Sequence, residues 1–342
     1  MKNIAVVILN WNGKRLLEKF LPSVVKHASL ATIYVADNCS SDDSTDFIKK
    51  NFPEVKIICH SCNYGYAGGY NKVLNLLEEK YFVLLNSDVE VSPNWLLPMY
   101  ELMEKEETIG CCQPKIKDYN RKDYFEYAGA AGGFIHKLGY PFCRGRIFNT
   151  IEKDTGQYNY NSEIFWASGA CLMVRASIFR KAGGFDEDFF AHMEEIDFCW
   201  RVKLLNYKIF YCWESTIFHV GGATLSKYNT HKTYLNFRNN FAMLLKNLPK
   251  SELLSKVLFR LLLDGVAGLK FLLEKKPGHT WAIIKAHFYC YGHLKKIKGK
   301  RKFTAKKIFS LTGTFHDSIL WQYFIKGKKK FSEIPNSASL SS

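Results

Sequence analysis

The stretch Tyr81-Phe82-Val83-Leu84-Leu85-Asn86-Ser87-Asp88 decides the fold. Its apolar run reads as a strand, one of several short runs that alternate with amphipathic segments. It then stops on an amide, a hydroxyl and a carboxylate. The same arrangement recurs twice toward the N-terminus. Ile4 to Leu9 runs into Asn10-Trp11-Asn12-Gly13, and Thr32 to Ala36 runs into Asp37-Asn38-Cys39-Ser40-Ser41-Asp42. Between these strands, Leu16 to His27 has helical spacing and an Asp/Ser cluster opens a helix over Asp42 to Asn51. Val55 to Cys59 reads as a further strand and Gly68 to Lys80 as a helix. Strand and helix in alternation predict an α/β fold around a largely parallel sheet. Ligands of such sheets sit at the carboxyl ends of the strands, so the three polar clusters outline one crevice.

Toward the C-terminus the pattern loosens from about Gly110 to Ser162 into a Gly- and Tyr-rich region expected to carry substrate loops. Regularity returns over Ile164 to Val174, then in Gly183-Gly184-Phe185-Asp186, a helix from about Glu194 to Asn206 and a strand over Ile209 to Cys212. After Leu245 the composition turns to Leu, Phe and Lys, and a domain boundary is expected there, dividing 1–245 from a basic helical extension, 246–342.

Charge supports that division. The 342 residues carry a formal +16 from 48 Lys+Arg and 32 Asp+Glu. Met1 to Leu245 holds 28 basic and 27 acidic residues, and the remaining 97 hold 20 and 5. A nearly neutral body with a cationic appendage is not a nucleic-acid binder with a basic coat, and no nucleic-acid motif appears. The composition, 47% hydrophobic and 23% charged, is that of a chain with a large core. Ile4 to Leu9 is too short for a signal peptide or a membrane span. Ten cysteines without a secretion signal read as reduced, structural thiols, Cys59-x-x-Cys62 included, so the expected location is the cytoplasm or the cytoplasmic face of a membrane.

Five constellations carry chemistry. Asp37, with Asn38, Ser40 and Asp42, can accept hydrogen bonds from a base or a ribose, or can make an Asx turn and a helix cap. Asn63-Tyr64-Gly65-Tyr66-Ala67-Gly68-Gly69-Tyr70-Asn71 is a Gly-rich turn into a helix whose N-terminus favours phosphate, although it matches neither a dinucleotide fingerprint nor a P-loop. Asp88 can hold a divalent cation, or cap a turn. Glu194-Glu195-x-Asp197 crowds three acids at a helix start. The helix dipole and an Asp197–Arg201 pair account for them structurally, while their repulsion can raise one pKa into the range of a general base. His219, in His219-Val220-Gly221-Gly222, gains a role only if it meets Asp88.

Taken in order, these motifs resemble the bacterial family 2 glycosyltransferases of GT-A fold, especially the rhamnosyltransferase-like branch that builds surface polysaccharides. The resemblance spans about Met1 to Leu245. It rests also on Ser168-Gly169-Ala170, Gly184-Phe185-Asp186-Glu187-x-Phe189-Phe190 and Arg201. It implies that Asn10, Asp37, Asn63, Gly65 and Asn86 line the nucleotide pocket and that Asp88 and His219 bind Mg²⁺ or Mn²⁺. Glu195 becomes the base candidate, with Glu194 and Asp197 beside it. Glu stands at 195 where Asp is commoner, and Asn86 where the wider class has Asp. The implied reaction is inverting transfer from a nucleotide-diphosphate sugar, dTDP-rhamnose or a UDP-sugar, to a lipid-linked or glycan hydroxyl. An inactive sugar-nucleotide-binding partner protein and a basic nucleic-acid binder are the alternatives. Trp166, Arg144 and the Tyr124 to Tyr140 loop are the expected donor-choosing residues. The apolar segment Leu253 to Leu273, interrupted by Lys256, Arg260, Asp264 and Lys270, predicts an amphipathic helix with its cations at the polar edge. With the Lys295 to Lys302 and Lys326 to Lys330 clusters, it would hold the protein on the anionic inner face of the cytoplasmic membrane.

Overall fold

The computed structural model describes residues 2–221 and 229–334, so Gly222 of the His219 motif lies outside the described residues. The first half alternates as expected: β1 (Ile4–Asn10), α1 (Lys14–His27), β2 (Ala31–Asp37), α2 (Ser44–Asn51), β3 (Lys56–Cys59), α3 (Gly65–Leu74), β4 (Tyr81–Asn86), β5 (Val89–Val91) and α4 (Leu96–Lys105). Helix α3 begins three residues before Gly68 and stops six before Lys80. The region expected to be loops instead starts with a ten-residue strand, β6 (Ile109–Asp118), followed by β7 (Gly133–His136), β8 (Pro141–Cys143), β9 (Arg146–Ile147) and β10 (Thr150–Ile151). Then come β11 (Ser162–Glu163), β12 (Cys171–Arg175), α5 (Ala176–Ala182), α6 (Glu194–Leu204) and β13 (Lys208–His219). The chain closes with α7 (Thr230–Asn247), α8 (Lys250–Leu273), α9 (Pro277–Gly292), α10 (Leu294–Gly299) and β14 (Thr314–Phe315).

Among the described residues, nine strands make the main sheet in the order β11-β13-β6-β12-β4-β1-β2-β3, with β5 against β13. Strands β1, β2, β3 and β4 run parallel, and β12 runs antiparallel between β4 and β6, so the sheet is mixed. Alternate residues of β1 and β4 feed different cores. Ile4, Val6 and Ile8 join Val83 and Leu85 on one face, while Ala5 and Val7 join Phe82 and Leu84 on the other. Both strands are therefore buried on both faces. All ten cysteines are free thiols.

A smaller sheet, β10-β9-β8-β7-β14, takes its last strand from the C-terminal segment. The expected boundary at Leu245 falls inside α7. Leu248, Cys290, Ile308, Phe315 and Phe331 pack in the same core as Phe134, Phe165 and Trp200 of the body.

Candidate active site

The parallel register Asn10↔Asp37 brings the ends of β1 and β2 side by side. Asn10 donates from Nδ2 to Asp37 Oδ1 at 2.9 Å, and Ser40 donates to the same carboxylate from its hydroxyl at 2.6 Å and its backbone N–H at 2.9 Å. The Asx turn is therefore made by the same carboxylate that was expected to meet a nucleoside. Asp37 keeps acceptor capacity on Oδ2, since a carboxylate offers about four lone-pair sites. Asn10 Oδ1 is buried with no partner.

The Gly-rich turn serves differently from expectation. Gly65 has φ +69°, and a Cβ there would come within 2.5 Å of the Phe190 ring. The N–H groups of Tyr66 and Ala67, which open α3, donate to the Phe190 carbonyl at 2.8 and 3.3 Å. That helix terminus is spent on the loop before α6, which leaves these donors unavailable to a phosphate. Asn63 accepts from Asn38 Nδ2 and from Gly65 N–H, both at 2.8 Å, and so fixes the turn.

Antiparallel pairing of β5 with the end of β13 sets His219 opposite Val89, one residue past Asp88. The result is convergence: His219 Nε2 lies 3.1 Å from Asp88 Oδ1, and Asn86 Nδ2 lies 3.4 Å from the same nitrogen. On the other side of the ring, Glu126 Oε1 stands 3.4 Å from Nδ1. Burial disfavours a charged imidazole, yet the Glu126 and Asp88 carboxylates overcome it and pull His219 up to about 10. Glu126 went unnoticed in the sequence because it sits in the loosely patterned region. Among the described residues no group of three or more His, Cys, Asp or Glu side chains is arranged to hold a metal. A cation bound here would take the place of the His219 Nε2 proton, and one carboxylate with one neutral imidazole is a donor set that suits Mg²⁺ or Mn²⁺ when the substrate supplies further oxygens. The carboxylate behind the imidazole is the usual partner of a metal-ligating His.

The three acids of α6 separate. Asp197 is fully buried and accepts from Arg201 Nε at 2.9 Å, Lys246 Nζ at 2.9 Å and Asn247 Nδ2 at 2.8 Å. Two cations neutralise it and its proton affinity is low, so it is a structural anchor and not a candidate base. Glu194 and Glu195 each keep a solvent-shielded Oε2 with no hydrogen-bond partner. Burial raises both, with the Glu195 charge also raising Glu194, and Glu195 is pushed up to about 7. A carboxylate in that range can take a proton at neutral pH.

The loop that delivers these acids is held from the C-terminal side. Phe190, His192 and Met193 all adopt left-handed backbone conformations, rare for such side chains. Asn239 of α7 donates to the carbonyls of Phe189, Ala191 and His192 at 3.0, 2.9 and 2.7 Å. Its neighbour Arg238 donates to those of Asp188 and Phe189 at 2.8 and 2.9 Å. No sequence motif marks either residue. The expected donor-choosing pair is also reassigned. Arg144 is fully buried, donating to Ala131 O at 2.9 Å and Ser162 Oγ at 2.7 Å, and Trp166 donates to Phe134 O at 2.9 Å. Both build the core beneath the small sheet.

Comparison with known proteins bears on the family and the fold. The family model for glycosyl transferase family 2 matches residues 5–183. The low-salt glycan biosynthesis hexosyltransferase Agl10 of Haloferax volcanii is 23% identical over 289 residues, 81% of this chain and 87% of its own length. The N-acetylglucosaminyl-diphospho-decaprenol L-rhamnosyltransferase of Mycobacterium tuberculosis is 26% identical over 213 residues, 57% of this chain and 68% of its own. The mannosyltransferase PcManGT of Pyrobaculum calidifontis, solved with GDP-Man and Mn²⁺, shares the fold with a TM-score of 0.52 at 11% identity, over 86% of this chain and 75% of that one. The family match covers more than half of the chain, strands β1 to β12 among it, so the chain belongs to glycosyl transferase family 2 and has the GT-A fold.

Proposed function

We propose that this glycosyltransferase inverts the anomeric centre, moving a sugar from a nucleotide-diphosphate donor, dTDP-rhamnose or a UDP-sugar, to a hydroxyl of a lipid-linked or polysaccharide acceptor. It would work in cell-surface glycan biosynthesis, at the inner face of the cytoplasmic membrane. The observation that carries the reading is Glu195: a shielded carboxylate oxygen without a partner, raised to about 7, in the first turn of α6. Glu195 takes the acceptor proton as the hydroxyl oxygen bonds to the anomeric carbon, and the bond from that carbon to the diphosphate breaks on the opposite face. Asp88 and His219 would hold the divalent cation, which supplies charge neutralisation for the departing diphosphate. Asn10 and Asp37 orient the nucleoside through the free Asn10 Oδ1 and the remaining lone pair of Asp37. The lipid-linked class of acceptor is supported by the named substrate of the mycobacterial relative.

Turnover of dTDP-rhamnose, UDP-galactofuranose, UDP-GlcNAc and UDP-glucose, each with and without Mn²⁺, tests the reading. One donor should be hydrolysed or transferred in a cation-dependent way. Nucleotide binding without turnover of any donor would instead make the chain a sugar-nucleotide-binding partner.

A further inference from the structure

Helix α8 is amphipathic in the sense opposite to that expected. Its buried positions are Lys256, Arg260, Asp264 and Gly268, spaced by four so that the polar stripe faces the body. Every charged member of that stripe is satisfied there. Lys256 donates to Lys137 O at 2.8 Å, and Arg260 pairs with Asp264 at 2.7 Å and reaches Asn240. Asp264 also accepts from Tyr140 at 3.2 Å and contacts His287 Nε2 at 3.0 Å. The outward face is consequently apolar: Leu254 is 72% exposed and Leu262 65%, with Leu258, Phe259, Val266 and Leu269 between and beyond them. From Ser251 to Leu269 no charged side chain of α8 is exposed, a length of about 27 Å at 1.5 Å per residue. Helix α9 packs beside it and exposes Trp281, Ile284 and Phe288 in turn, the last 69% exposed. Monomeric soluble proteins rarely leave apolar faces of this extent uncovered.

We propose that the outward face of α8 and α9 is the surface by which the enzyme lies on an anionic lipid bilayer, with the leucine and aromatic side chains in the interface. The inference rests on the membrane-proximal reading above and names the surface responsible. Charge selects the occupant. Exposed Lys250, Lys270, Lys275, Lys285 and Lys295 stand at the ends and flank of the two helices, within a segment of 20 basic and 5 acidic residues. Two copies brought face to face would set these cationic rims against each other, whereas anionic headgroups complement the rim while acyl chains cover the apolar centre. Among the described residues no helix is long and apolar enough to cross a membrane, so the contact is with one leaflet.

The test uses the full chain and vesicles of phosphatidylglycerol and phosphatidylcholine, separated by flotation. Wild type should float with the anionic vesicles at low salt, more weakly with pure phosphatidylcholine and more weakly again in high salt. The double variants Leu262→Glu/Phe288→Glu and Leu258→Ser/Leu262→Ser alter only exposed positions. Each should lower the vesicle partition coefficient at least 10-fold with an unchanged thermal midpoint. Donor hydrolysis in detergent-free solution, measured on the same samples, separates the two readings. Flotation without hydrolysis of any donor would overturn the catalytic proposal and leave the docking surface standing. Variants that float like wild type would overturn the docking surface. So would a lipid-free dimer that the same substitutions dissociate, since the face would then belong to a second copy.

Discussion

At the scale of single residues, Glu195 and the Asp88–His219–Glu126 cluster make distinct demands. Glu195→Gln keeps size and hydrogen bonding but cannot take a proton. Turnover should fall at least 10²-fold, within the range typical of a lost general base, while nucleotide affinity measured by calorimetry stays within about twofold. Wild-type turnover should rise with unit slope below about pH 7 and level off above it, because the deprotonated form is the active one and burial has raised its pKa there. The same shift has a consequence for stability. A carboxyl raised in the folded state contributes most below its unfolded pKa, and the contribution is lost as pH climbs through about 7. Glu195→Gln should therefore melt higher than wild type at pH 8, with little difference at pH 5. Glu126 faces the imidazole nitrogen opposite Asp88, the place from which ligand orientation is controlled. Glu126→Ala should weaken Mn²⁺ binding roughly 10- to 100-fold, read as free Mn²⁺ by electron paramagnetic resonance without turnover. Unchanged affinity would remove Glu126 from the site.

At the scale of elements, α7 reaches back to hold the loop that carries the acids. Asn239 supplies both of its amide protons to three carbonyls of a segment in which Phe190, His192 and Met193 are left-handed. Asn239→Ala leaves those buried carbonyls short of donors, at a cost of about 1–3 kcal/mol. Its positioning role should appear as a 10- to 100-fold loss in kcat with donor KM nearly unchanged, and as a displaced pH–rate midpoint. A variant that loses stability but keeps kcat and its pH profile would reduce Asn239 to a structural part. How far such elements were legible follows from where their signals lie. Strands β1, β2 and β4 announced themselves because each is an apolar run ending in polar residues, and the parallel register does set those ends side by side. Strand β6 did not: Gln113, Pro114, Lys115 and Lys117 hide it, and the Lys115 charge is answered only in three dimensions, by Asp154 at 3.1 Å and Asn159 at 2.6 Å. Strand β13 read as four residues because its register against β6 shifts between Cys212 and Thr216. For α8 the periodicity gave amphipathicity but not direction. A polar stripe turns inward only where Tyr140, Asn240 and His287 await it, and no local pattern reports those partners.

At the scale of the molecule, the neutral body and the basic segment are one folded unit. Lys246 inserts between Asp186 and Asp197 at 2.7 and 2.9 Å, and Lys300 pairs with Asp186 as well. Strand β14 adds to β7 in parallel, Thr314 opposite Ile135 and Phe315 opposite His136. The Phe331 N–H donates to Glu152 at 3.0 Å, and its ring packs 5.1 Å from that of Phe134. A chain ended at Leu245 would strip a strand from the small sheet and bare part of the shared core. It would also leave Asp186 and Asp197 buried without Lys246, and removal of one partner from a buried pair costs about 3–5 kcal/mol. The full chain carries a pH signature of the same contact. Burial works against the charged form of Asp186, but Lys246 and Lys300 prevail and hold it down to about 2. Its contribution is complete above the ordinary carboxylate range and is lost as pH falls from about 4 through about 2. Lys246→Ala in the full chain should lower the urea midpoint at neutral pH and flatten the loss of stability between pH 4 and pH 2. The chain ended at Leu245 should lose its near-ultraviolet circular dichroism and its cooperative melt. A truncated protein that unfolds cooperatively at the wild-type midpoint would show that the body needs nothing beyond Leu245, and the boundary expected from composition would then be a boundary of stability as well.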